Sequence, residues 1–599
     1  MATLAALIGV TLLLAACGSG NQGTAPGKAS DTATWAEPAS TTPNDIFPFL
    51  PASAFSVING ELQHMLYRPL YFFGENGSVG INEQLSLGQL PTYSGSGTTV
   101  TIALKSYRWS NGESVNADDV LFWINLYKAE KDNYGGYTPG YFPDNVVSAK
   151  APNPKLVVLT LNRTYNRNWF LYDELSQITP MPAAWDVTGP GQKSDCATVE
   201  SDCAGVYNYL SAQAKDETSY ATSPIWSVVD GPWKLKTFNT DGNASVVPNR
   251  AYSGPVKPTL KQVNLAPFTS DSAEFNVLHS GKTLDVGYIP TEDISKPKPK
   301  GSSPNAAGPN PLSNYALVPW PSYSFNYFLP NYTNPQYSPI FKQLYFRQAL
   351  QSTVNQPALI TAAAKNYGQP AYGPVPTFPN NPAAPISRDE RQNPYPYSIS
   401  AARKYLKDNG WKVVPGGAST CTRPGTGSGE CGAGISAGQK LSFSMIYSTG
   451  TQQMTTTMES VKSNASRAGI QITLNPQSFN EVIEVANPCT GSGSTCTWQL
   501  ADWGGWTYGS PLPTGEVLFQ TGALNSGGYS SPQLDKLIRQ TIVSNSPTSF
   551  TDYENGAAKD LPVFWLPNYT SQLMEVASGL HGVPKTNPLA LLDPEYWHY

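Results

Sequence analysis

Few residues in this chain stand where they could do chemistry, and GISAG (Gly434–Gly438) is the plainest candidate. It satisfies G-x-S-x-G, the nucleophile elbow of serine hydrolases, which needs a strand before the serine and a helix after it. Ser436 instead follows a Gly-rich, Cys-bounded loop and precedes the strand-like LSFSMIY, so a secreted serine hydrolase is a remote reading. Asn116, Asp118 and Asp119 offer clustered acids at the head of NADDVLFWINLYKAE. At a helix start such residues cap orphan N–H groups and complement the helix dipole, which is the preferred reading. The four histidines, His64, His279, His581 and His598, lie far apart, and no two share a metal-ligand spacing. Neither a metal centre nor a cofactor is expected.

Seven cysteines are more telling. Six form close pairs, Cys196/Cys203, Cys421/Cys431 and Cys489/Cys496, each in a polar segment rich in Gly, Ser, Thr or Asp. Zinc sites favour Cys-x2-Cys pairs that cooperate, and these loops are longer. Three local disulfides are the expected pairing, which requires an oxidising compartment and hence export. Cys17 is left over. It ends an uncharged run, Met1 to Ala16, too short for a membrane span of about 20 residues but suited to a signal peptide. LAAC (Leu14–Cys17) resembles the lipobox of bacterial lipoproteins, which implies that Cys17 is lipidated as the first mature residue. Two or three acyl chains there would anchor the protein stably to a membrane. Residues 18–34, rich in Gly, Ser, Thr and Ala, read as a flexible linker. A secretory signal normally opens with Lys or Arg and none precedes this run, so the true start is expected upstream.

One aromatic cluster remains. In WQLADWGGWTYGSPLPTGEVLF (Trp498–Phe519), Trp503, Trp506 and Tyr508 sit among glycines with neither helical nor strand periodicity. Such rings, with an apolar body and a polar tip, suit the wall of a ligand cleft.

The surrounding elements alternate strand and helix. TTVTIAL (Thr98–Leu104) and KLVVLTL (Lys155–Leu161) carry the period of two of half-buried strands. Helices are expected after Asn116, over Ile340–Val354 and over Thr456–Ala468, the last leading into a strand at Ile470–Leu474. Pro-rich stretches at 290–312 and 370–396 read as long surface crossings. At 599 residues the chain exceeds a single core. Its net charge of −5, without a Lys/Arg cluster, argues against nucleic acid as partner.

RWSNGESVNADDVLFWINLY (Arg108–Tyr127) resembles the most recognisable segment of the family-five extracellular solute-binding proteins, the dipeptide, oligopeptide and nickel receptors of bacterial ABC importers. Further matches follow in order: DGPWKLKTF, YFRQALQSTVNQPALI, YLKDNGWK, GGYSSPQLDKLI and LPVFWLPNY. Asn355 stands where the family commonly has Asp, a change a helix cap tolerates. The resemblance implies an α/β, two-lobe periplasmic-binding-protein fold of class II type, with an extra subdomain on the first lobe and a hinged cleft. The first lobe would hold residues 35–312, with its subdomain at about 71–214, the second lobe 313–534, and residues 535–599 would return to the first. It implies a monomeric, non-enzymatic receptor on the outer face of the cytoplasmic membrane that delivers di- or oligopeptides to permease subunits.

Peptide-binding members hold the ligand's α-amino group with an Asp, and two registers compete for it. ADW (Ala501–Trp503) makes Asp502 the anchor, while GWT (Gly505–Thr507) leaves Tyr508 and Gly509 where an Asp would come. The second register favours an oligosaccharide or another non-peptide solute. It is equally open that Asp502 caps a turn and faces solvent. Phe55, in PASAFSV, is the candidate contact from the first lobe.

Overall fold

Thr32–Ala36 alternates small or aromatic residues with threonines, burying Ala33 and Trp35, and it forms a strand paired in parallel with Gln262–Ala266. The linker expected to run to residue 34 therefore does not reach that far. In the computed structural model the described residues are 31–599, apart from 76, 490–495, 545, 547, 570, 571, 584–586 and 590. Cys17 and the lipobox-like LAAC lie outside them.

That strand sits in the middle of a seven-stranded mixed sheet. The order is Trp233–Phe238, Ala244–Pro248, Gln262–Ala266, Thr32–Ala36, Val286–Tyr288, Gln572–Ala577 and Tyr315–Trp320. A second mixed sheet runs Gln471–Gln477, Ser442–Ser448, Leu500–Asp502, Ser324–Pro330 and Trp506–Thr507, with Phe564–Leu566 paired to Ser324–Pro330. The fold is thus a two-lobe α/β arrangement. The chain changes sheet between Trp320 and Ser324 and again between Leu566 and Gln572, not at 312/313 and 534/535. Helices Pro532–Val543 (from residue 535 on) and Ser549–Asp560, expected with the first lobe, precede the second-sheet strand Phe564–Leu566. Glu554 of the latter pairs with Arg391, and Gly515 of the second lobe lies against Tyr553.

A four-stranded antiparallel sheet, Thr92–Ser94, Thr99–Ala103, Leu156–Leu161 and Val146–Asn153, builds a separate layer within residues 92–161. Its helix, Ala117–Ala129, begins as its sequence dictates. The Asn116 side chain accepts the Asp118 N–H, and Asp119 Oδ2 accepts both the Asn116 N–H and Trp109 Nε1–H, each at 2.9 Å. Asn116 and Asp119 thus form a capping box, and Asp119 also holds the buried Trp109.

Ile340–Val354 is not one helix: Ser338–Phe341 and Leu344–Gln351 are separated at Lys342 and Gln343. Arg347, buried, reaches back to the carbonyls of Phe341 and Lys342, absorbing acceptors that a continuous helix would use itself. Asn355 caps Gln356–Ala362 through the Ala358 N–H. All three expected disulfides are formed, Cys196–Cys203, Cys421–Cys431 and Cys489–Cys496. No helix of the described residues is long and apolar enough to cross a membrane.

Candidate ligand-binding site

Residues from both lobes enclose a cavity of about 530 Å³, within the range of roughly 300–1,000 Å³ typical of small-molecule sites. Phe55, Trp503, Trp506 and Tyr508 all line it. Phe55, from the first lobe, stacks on Trp506 of the second with ring centroids 6.0 Å apart and planes at 22°. Tyr134 meets Phe55 edge-on and extends the aromatic wall.

The second-lobe wall is held by backbone. Trp506 and Thr507 pair with Phe325 and Ser324 at the head of strand Ser324–Pro330. Gly505 turns the chain into that pairing at φ +97°, and a Cβ there would lie 2.2 Å from the Phe325 carbonyl oxygen. Such approach and such φ both require glycine. The Tyr508 N–H then bonds to Tyr323 O, and its hydroxyl to Pro374 O at 3.0 Å. Trp503 packs edge-on against Tyr327.

Asp502 is placed differently from its four companions. It ends strand Leu500–Asp502, has no solvent exposure and does not line the cavity. Its Oδ1 accepts the Gly504 N–H at 2.8 Å, so it does cap a turn, though buried rather than facing solvent. Its Oδ2 has no hydrogen-bond partner, and burial pushes its pKa up to about 7.

Three carboxylates on the wall escaped sequence reasoning: Glu61, Asp173 and Glu516. Asp173 accepts hydrogen bonds from Ser510 Oγ at 2.5 Å and Thr514 Oγ1 at 2.6 Å, both from the opposite lobe. Glu516 Oε1 accepts Trp169 Nε1–H at 3.0 Å across the same junction, while Oε2 has no partner. Thr514 lies beside Glu516 too, but its single hydroxyl proton goes to Asp173. Burial, reinforced by the Glu516 charge, raises Asp173 well above the usual carboxylate range, and burial raises Glu516 as well. Glu61 accepts the Leu592 N–H at 3.0 Å and is likewise raised by burial.

Among the described residues no Lys or Arg lines the cavity. His64 does, but burial pulls its pKa down to about 4, so it is neutral near pH 7. No group of three or more His, Cys, Asp or Glu among the described residues is placed to hold a metal ion. Ser436 is exposed in a turn between the Cys421–Cys431 loop and strand Ser442–Ser448, with neither a strand before it nor a helix after it. The elbow geometry is therefore not built there.

Comparison with known proteins places this architecture. Glutathione-binding protein GsiB of Shigella flexneri is 24% identical over 354 residues, covering 58% of this chain and 60% of GsiB. The chain thus spans about 60% of the length of the curated relatives it matches. The oligopeptide-binding protein AppA of Bacillus subtilis, solved with a nonapeptide, superposes with a TM-score of 0.73 at 17% identity, covering 95% of this chain and 99% of AppA. NikZ of Campylobacter jejuni, solved with Ni(L-His), gives 0.64 at 16% identity, covering 95% of this chain and all of NikZ. Residues 87–523 match the sequence pattern of the bacterial extracellular solute-binding proteins, family 5. With that match spanning most of its length, the chain belongs to the bacterial extracellular solute-binding proteins of family 5.

Proposed function

We propose that this protein captures a peptide-sized solute, di- or oligopeptides first, in the interlobe cavity and presents it to the permease of an ABC importer. The observation that carries this reading is the Phe55–Trp506 stack, which makes the wall of the cavity from two lobes. A site so divided is completed when the lobes close and dismantled when they part, which gives a transporter a ligand-dependent shape to recognise. The lobe boundaries belong at the two sheet crossings, near residues 321–323 and 567–571. A monomer suffices, since both halves of the site come from one chain.

Asp502 is the candidate amine anchor of a peptide, and its partnerless Oδ2 supports that role. A second reading has its own support. Asp502 is off the wall, whereas Tyr508 and Gly509 are on it, which is the register without an anchoring Asp and favours an oligosaccharide or another non-peptide solute. Thermal-shift and calorimetric titration with di- to pentapeptides, their N-acetylated forms and oligosaccharides separates the two. A ligand at about 100 times its Kd adds about 2.7 kcal/mol to the stability of the folded state. Stabilisation by free-amine peptides supports the first reading, and stabilisation by sugars alone replaces it with the second.

Tethering through Cys17 is the remaining part of the proposal. Cys17→Ser should move the protein from the membrane fraction to the soluble one, since the acyl chains carry the attachment. Unchanged fractionation would sink the tether.

A further inference from the structure

The geometry points to an organic cation, a solute bearing a primary ammonium or a guanidinium group, held between Asp173 of the first lobe and Glu516 of the second. This rests on the receptor reading above and narrows its ligand class. The wall of the cavity is one-sided in charge: Glu61, Asp173 and Glu516 line it and, among the described residues, no Lys or Arg does. The chain as a whole is nearly balanced, with 38 Lys and Arg against 43 Asp and Glu, so the imbalance is local. None of the ion pairs among the described residues involves these three acids.

An independent feature marks where the ligand's charge would sit. Glu516 is 4% exposed, lines the cavity and leaves Oε2 without a hydrogen-bond donor. An unpaired buried oxygen of this kind is unfavourable, and a donor brought by the ligand would offset that cost. Asp173 beside it has its donors, but two hydroxyls supply no positive charge. An ammonium or guanidinium offers several N–H donors on one cation, while no three-residue metal cluster exists among the described residues. Phe55, Tyr134 and Trp506 line the same wall, and aromatic surroundings favour a cation over an anion. A free carboxylate on the ligand would meet no cationic partner there, so glutathione, with two, suits this cavity poorly.

The site also couples binding to protons. Glu174 follows Asp173 in sequence and is raised by burial as well. The other titratable groups facing the pair are the phenols of Tyr141, Tyr323, Tyr508 and Tyr553, all raised by burial and neutral, and Glu554 beyond them, which is held by Arg391. With no cation present burial favours the protonated form of both carboxyls. A bound cation favours the ionised form, so binding releases a proton and affinity rises with pH through the raised range.

The test uses the full chain and one scaffold in three charge states. Trialanine amide is cationic, its N-acetyl form is neutral, and N-acetyl trialanine with a free C-terminus is anionic. Agmatine, spermidine, glutathione and maltotriose complete the panel. Calorimetry in two buffers of different ionisation enthalpy reads affinity and proton release together. The expected result is binding of cationic members at least about 10-fold tighter than neutral ones, with net proton release. Glu516→Gln and Asp173→Asn should each weaken cation binding by about 10–100-fold, as loss of a charged hydrogen bond does, with unfolding midpoints recorded to verify folding. Equal or tighter binding of neutral or anionic members overturns the cation assignment and leaves the receptor reading standing. Binding of nothing in the panel, nor of the peptides and oligosaccharides above, overturns both.

Discussion

Asp502 combines full burial, a single backbone donor and an oxygen with no partner, and that combination sets opposite demands on stability and binding. Burial raises its pKa from an ordinary aspartate's value to about 7. Between those values the folded state holds a proton that the unfolded chain has lost, so its contribution is fully present at low pH and fades as pH rises towards about 7. Asp119 and Asp230, buried too and also raised to about 7, act in the same direction. Asp502→Asn removes one titration. Its unfolding midpoint relative to the natural protein should therefore climb between pH 4 and pH 8, with a gain on the order of a few kcal/mol at the upper end. Denaturant unfolding at pH 4.5, 6 and 8 reads this directly. A constant difference across the series would mean that the carboxylate is solvated. If Asp502 also anchors a peptide amine, the same variant loses affinity while gaining stability, a pairing that a purely structural aspartate does not give.

At the scale of elements, the wall of the site depends on one glycine. Gly505→Ala would set a Cβ against the Phe325 carbonyl and hold a left-handed φ, so the pairing of Trp506–Thr507 with Ser324–Phe325 should break. Loss of about 1–3 kcal/mol of stability and of most ligand affinity is expected. Gly504→Ala is the comparison: its φ is +102°, but its nearest outside atom is Met454 Cε at 3.8 Å, so it carries backbone strain without the clash. Equal effects of the two would place the requirement in φ alone. Elements of this kind were partly legible from sequence. The capping box at Asn116–Asp119, the strands around Val100 and Leu159 and the three cysteine pairs are all local patterns, and local patterns survive in a sequence. Trp503, Trp506 and Tyr508 were visible because rings among glycines fit no periodic element. What escaped was set by contact over distance. Asp173 meets Ser510 at a separation of 337 residues, and nothing in NWFLYDELSQIT or PLPTGEVLFQ announces the other. Acids inside apolar runs, Asp173 with Glu174 and Glu516 alone, were the available signal, and that is also what an ordinary exposed turn looks like. The break at Lys342–Gln343 escaped for the same reason, since Arg347 folds back on carbonyls that periodicity assigns to a continuing helix.

At the scale of the whole molecule, the seven-stranded and six-stranded sheets of the two lobes are joined by two crossings, and polar contacts link the lobes on the cavity side. Ser510 and Thr514 donate to Asp173, Trp169 donates to Glu516, Thr138 donates to the Glu516 carbonyl, and Asn525 donates to Gly135 O at 3.0 Å. The Phe55–Trp506 stack is the apolar member of the set. Polar groups at a junction that opens are hydrated when it parts, so each contact contributes only about 0.5–1.5 kcal/mol to closure. Removing the hydroxyls alone is different, because it leaves the Asp173 oxygens buried without donors in the closed form, at about 1–3 kcal/mol each, and solvated in the open one. Ser510→Ala with Thr514→Val should therefore shift the free protein towards the open form while leaving each lobe intact. Small-angle scattering should report a larger radius of gyration for the free variant than for the natural protein, with a far-ultraviolet spectrum unchanged. Saturating ligand should restore the compact value at a higher concentration than the natural protein needs, because part of its binding free energy goes into closure. A variant that melts earlier yet scatters identically would place the cost inside the subdomain core and not in the junction between lobes.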